Sequence, residues 1–182
     1  MKKVRVNYEK MYYGFPVVLI SYYDKEGIAN VTTLSSTYTL KDMVMLGFSS
    51  KGYAVSQIKE VSDFVINIAD SKLMEEIEFC GKNTGAECKK FDRVNLTPVP
   101  SEIINAPSIA ECPVSIECTL TDVIESPHYK GITNILATIK GRLVSETHLD
   151  ENANIIIEKF NNISYFNDGV NRGFKKSPFY YT

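Results

Sequence analysis

Hydrophobic and polar positions along the chain change period several times, and each change marks a predicted element. The run PVVLISYY (residues 16–23), the charged DKEG and the alternating IANVTTL read as strand, turn, strand. Gly27 is the turn residue free to take a positive φ. The apolar stretch from Met43 to Phe48 predicts a third strand. The period then lengthens, with Val55, Ile58 and Val61 on one helical face, before Phe64–Ile68 returns as a buried strand. Ser71 is the expected N-cap of a second short helix carrying Leu73, Met74, Ile77 and Phe79. Beyond it, CGKNTGAECKKFDRVNLTPVP reads as a long surface loop, and loops of that length usually have a task. Val114, Ile116, Cys118 and Leu120 alternate with Ser115, Glu117 and Thr119, and ITNILATIKGRLV gives a further strand or pair. From Asn161 the tail is aromatic and polar by turns, which suggests a wrap and not a core element. Many hairpin-linked strands with two short helices predict a mainly β, mostly antiparallel barrel, which also leaves no exposed edge strands.

Within this pattern one stretch is unusual. Ser or Thr fills six of the eight positions from Thr32 to Thr39, so an extended backbone places hydroxyls on both faces. A core would need a partner for each. Either an edge strand passes into a loop here, or a surface is prepared for a polar ligand. A second cluster, GFSSKGY, follows the third strand and leads into the first helix. The Ser49 and Ser50 hydroxyls, the Lys51 ammonium and the helix's first N–H groups form a combination suited to a phosphate, with Gly52 allowing close approach. An ordinary helix cap is the other reading.

Composition narrows the class. The 182 residues suit a single domain over 1–182, with a barrel core at about 12–150 and a C-terminal wrap at about 151–182. A formal charge of −2, with no basic block, argues against nucleic-acid or electrostatic membrane partners. Asn7, Glu9 and Lys10 interrupt any apolar leader, so a cytoplasmic protein is expected. The four cysteines (Cys80, Cys88, Cys112 and Cys118) are not spaced for zinc and read as reduced thiols, so no metal is expected. No P-loop, Rossmann fingerprint or hydrolase nucleophile elbow is present, and His128 reads as a solvated loop residue.

Four segments, in this order, resemble the flavin reductase-like, FMN-binding split-barrel family and its flavoredoxin-type branch. They are PVVLISYYDKEGIANVTTLSS, SQIKEVSDFVINI, CGKNTGAECKKFD and LTPVPSEIINAPSIAECPVSIEC. The last two are the most specific, being similar to the family's Cys-Gly…Ser-Gly…Asp-Lys-Phe loop and its Ala-Pro…Glu-Cys-Pro…Glu-Cys segment. The resemblance implies a six-stranded antiparallel Greek-key split barrel that forms a homodimer, with FMN near the interface. Asn30, Thr32, Thr33, Leu34, Ser35 and Ser36 would then line the flavin, Ser49, Ser50 and Lys51 would face its phosphate, and Lys90 would bring positive charge to the ring. The implied activity is that of an FMN-dependent oxidoreductase passing electrons from NADH, NADPH or a small carrier to a flavin or protein acceptor. No catalytic side chain is identified, and Cys80 is either a contributing thiol or a structural one. The chain departs from the family pattern at Ser36, at Ala54 and at Asn134, which stands where a His is common. These departures favour the alternative, a non-catalytic split-barrel ligand-binding protein that has lost tight FMN binding.

Overall fold

The computed structural model of the chain describes residues 1–176. Its first strand, β1 (Tyr12–Pro16), is followed by β2 (Val18–Tyr23), β3 (Ala29–Leu34), β4 (Thr37–Leu40) and β5 (Met43–Ser49). The β2–β3 turn forms as its residues dictate. The Asp24 carboxylate accepts from the N–H groups of Glu26 and Ile28, and Gly27 takes a φ of 78°. Helix α1 (Tyr53–Val61) leads into β6 (Asp63–Ile68), and helix α2 spans Met74–Lys82. The remaining strands are β7 (Pro98–Pro100), β8 (Pro107–Ile109), β9 (Val114–Ile124), β10 (Ile132–Val144), β11 (Ile163–Asn167) and β12 (Arg172–Lys176).

The main sheet is antiparallel and runs β3-β2-β6-β9-β10-β5-β4. Its two edge strands, β3 and β4, are nearly consecutive in sequence, separated only by Ser35 and Ser36. Across a flat sheet those edges would stand about 29 Å apart at the usual strand spacing. The three residue steps from Leu34 to Thr37 reach at most about 11 Å. The sheet must therefore curl until its edges almost meet, which makes a split barrel. The expected six strands become seven because the chain bends at Ser35–Ser36 and breaks one long strand into β3 and β4. At that bend the Gly47 N–H donates to the Ser36 carbonyl, tying the crossing to β5.

Alternation fixes the inside. Val44, Leu46 and Phe48 of β5 face Ile135, Ala137 and Ile139 of β10, with Ile20, Tyr22, Phe64 and Cys118 completing the barrel core. Helix α1 plugs it with Ala54, Val55 and Ile58. A second core lies outside β2 and β3, where Leu19 and Val31 pack with Ile77 and Cys80 of α2 and with Ile163 of β11.

Three further expectations need correction. The capping group before α2 is Asp70 and not Ser71: its carboxylate accepts from the Lys72 N–H at 2.9 Å, opening a short 3₁₀ turn that runs into the helix. The tail is also more than a wrap. Strands β11 and β12 pair with β1 in a three-stranded sheet, and Ile163 is fully buried in the second core. Its last residues, 177–182, lie outside the described ones. The long loop is shorter than expected, because α2 absorbs Cys80–Lys82 and a 3₁₀ turn spans Lys90–Arg93.

Candidate functional site

Strand β3 separates two cavities, because neighbouring residues on a strand point to opposite sides. Thr32 lines one of about 250 Å³, together with Tyr22, Phe48, Ser49, the start of α1, Gly81–Gly85 and Lys90. Thr33, Leu34 and Ser35 line another of about 200 Å³, between α2 and the tail sheet. Gly81 borders both.

Lys90 defines the chemistry of the first cavity. It is 2% exposed, and its ammonium donates to the Cys80 carbonyl at 2.8 Å. Among the described residues no carboxylate lies within ion-pair reach of it. Burial lowers its pKa, and the nearby Cys80 and Cys88 sulfurs pull the other way. A buried cation without a countercharge is costly unless an anion joins it.

The start of α1 adds donors to the same cavity. Gly52 occupies the cap position and supplies no side-chain hydrogen bond, so the first helical N–H groups lack a side-chain cap. The Tyr53 hydroxyl donates to Asp24 at 3.3 Å. Desolvation and then the Asp24 carboxylate hold that phenol above its ordinary range, so it stays protonated. Burial keeps Tyr22 protonated as well. Backbone donors, a neutral phenol and a buried ammonium together suit an anionic ligand with aromatic parts.

The remaining expected site residues are distributed around this cavity. Asn30 is buried behind it, donating from Nδ2 to the Gly85 carbonyl at 3.4 Å while its Oδ1 accepts from the Val31 N–H. A Cβ on Gly85 would sit 2.5 Å from Asn30 Nδ2, so only glycine lets the loop approach this closely. Thr33 turns away and donates to the Ile77 carbonyl at 2.6 Å, fastening α2 to β3. Ser36 lies against Gly47 at the bend, as does Asn134. Ser50 and Lys51 are exposed in the turn between the two lining residues Ser49 and Gly52. The Ser50 hydroxyl stands 2.8 Å from that of Thr133, which also meets Glu125. Lys51 does not line the cavity.

Sequence reasoning missed Tyr22, Phe48 and Tyr53, whose apolar neighbours mark them as core. Their position around the mouth follows only from barrel closure. The Cys80 thiol is fully buried, and desolvation raises its pKa to about 11 despite Lys90. It is a structural thiol.

A family model described as "Flavin reductase like domain" matches residues 11–169. Flavoredoxin of Desulfovibrio vulgaris (Miyazaki F) superposes with a TM-score of 0.88 at 22% identity, covering 100% of this chain and 96% of that one. Flavoredoxin from Methanosarcina acetivorans gives 0.85 at 21% identity, over 100% and 95%. An uncharacterized protein of Aquifex aeolicus is 28% identical over 153 residues, 80% of this chain and 76% of its own length.

Proposed function

Since the chain belongs to the flavin reductase-like family, we infer that the cavity beside Thr32 holds FMN and that the protein is an FMN-dependent oxidoreductase. The observation that carries this reading is Lys90, a buried ammonium in a ligand-sized cavity with no countercharge among the described residues.

When bound, the flavin supplies a ring that accepts a hydride or electrons and passes them on. The chain's own residues bind and orient it. Lys90 favours negative charge on the ring edge, the α1 N–H groups and Ser49 receive the phosphate with Ser50 and Lys51 beside them, and Thr32 offers a hydroxyl. Asn30 and Gly85 hold the loop that carries Lys90 against β3. Thr33, Leu34, Ser35 and Ser36 keep the strand edge at the flavin's flank. A reduced nicotinamide or small carrier is the proposed donor, and a flavin or protein the proposed acceptor.

The proposal includes a homodimer. Tyr38, Met45 and Leu136 are in register on adjacent strands and form an outward apolar row, with Tyr38 57% exposed. A second copy would cover that row.

A second reading, a ligand-binding protein without turnover, is favoured by one observation: Ser36 and Asn134, two departures from the family pattern, meet at Gly47. The visible spectrum of the purified chain, after FMN is added and the excess removed, tests both. Retained flavin at about one per chain that NADH, NADPH or a reduced carrier bleaches supports the oxidoreductase. Flavin that binds only weakly and that none of them reduces supports the second reading. A chain that retains no flavin and binds none transiently overturns the FMN site.

A further inference from the structure

The cavity on the other side of β3 has a distinct chemistry. Tyr165 of β11 and Phe174 of β12 are cross-strand partners with ring centroids 5.4 Å apart, and both pack toward the second core. Arg172 lies two residues before Phe174 on the same strand, so its side chain leaves the same face and borders the same cavity. Opposite stand Leu34, Ser35 and Ile77.

The polar groups at this cavity are unevenly committed. The Glu78 carboxylate is met by Lys82 at 3.0 Å, and the Thr33 hydroxyl by the Ile77 carbonyl. The Tyr165 hydroxyl accepts from Asn167 Nδ2. The Arg172 guanidinium has no hydrogen bond or ion pair among the described residues, and the Ser35 hydroxyl likewise has none. An unengaged guanidinium, a free hydroxyl and an aromatic wall of two contacting rings match a flat ring bearing one anionic group. A cavity of about 200 Å³ admits one ring and excludes a dinucleotide.

We propose that this cavity is a binding site for a small aromatic carboxylate, with Arg172 and Ser35 receiving the carboxylate and the contacting pair Tyr165 and Phe174 forming one aromatic wall against the ring. Gly81 and strand β3 are shared with the proposed flavin cavity, so the ligand sits beside FMN. Its place as a substrate rests on the FMN reading, but its binding does not.

Benzoate titrated into the full chain, with and without FMN, and followed by ligand-observed NMR, tests the site. Saturable binding is expected, weakened about tenfold or more in Arg172→Gln and less in Arg172→Lys, because the lost contacts are charge-assisted. The neutral isostere benzamide should bind at least about tenfold more weakly for the same reason. Absence of saturation up to about 10 mM benzoate, which corresponds to negligible affinity, overturns the proposal. So does wild-type affinity in Arg172→Gln, or benzamide binding as tightly as benzoate. Lys90→Met should leave benzoate binding unchanged. A chain that binds benzoate through Arg172 but neither retains FMN nor binds it transiently therefore keeps this site and sinks the FMN reading alone.

Discussion

Lys90 sets stability and ligand affinity against each other. Its pKa in the folded chain is lowered by burial, so between that value and the ordinary lysine value the unfolded chain holds a proton that the folded chain has lost. Stability therefore rises with pH across that window, and below it the buried charge is a standing cost. Lys90→Met should raise the melting temperature of the flavin-free chain at neutral pH, by about 2–4 °C for each kcal/mol recovered in a chain of this size. The same substitution should weaken FMN by about 2 kcal/mol, roughly thirtyfold in Kd, as measured by fluorescence titration. In the wild type, FMN affinity should fall as pH rises through the lowered pKa, and Lys90→Met should flatten that dependence. Among the thiols, burial pushes Cys112 and Cys118 to about 12, alongside the raised Cys80. Native-state alkylation followed by mass spectrometry should mark the half-buried Cys88 first, and the other three only after unfolding. Gly85→Ala forces a Cβ onto the buried Asn30 amide, and overpacking of that kind costs about 1–3 kcal/mol. A drop in melting temperature together with looser FMN would confirm that this contact positions the loop.

At the scale of elements, legibility followed period. Strands β5 and β9 and helix α1 were readable because apolar residues recur at one spacing, as with Val44, Leu46 and Phe48, and β6 because it is a short apolar run. The cap of α2 was misread by one residue because Asp70 and Ser71 are equally good capping types, and only geometry distinguishes them. Asp70→Ala should cost about 1 kcal/mol in thermal unfolding, as cap losses do. Its Oδ2 also accepts from Asn161 Nδ2, so the substitution should loosen the tail too. Strand β1 was missed because it pairs only with β11, across most of the chain's length, and no local pattern carries that pairing, whereas β11 and β12 form a local hairpin whose Asp168-Gly169 turn was passed over. The hydroxyl run was noticed but its division was not. Which of Thr32 and Thr33 faces which cavity depends on where α2 lands, and that is a tertiary fact.

Across the whole molecule, the outward row of Tyr38, Met45 and Leu136 gives the proposed dimer a direct test. Light scattering after size exclusion should show a dimer for the wild type and a folded monomer for Met45→Glu, because a carboxylate in an apolar interface lacks a partner. A monomeric wild type would leave the row without its proposed cover. Barrel closure also bears on how the chain is made. The β4–β5 hairpin is complete early in synthesis, yet β10, the strand that joins the far side of β5, leaves the ribosome much later. Until then β5 has a bare flank, although every residue lining the cavity beside Thr32, Lys90 included, has already been made. The nascent chain is thus exposed to mispairing along β5 from the completion of that hairpin until β10 emerges.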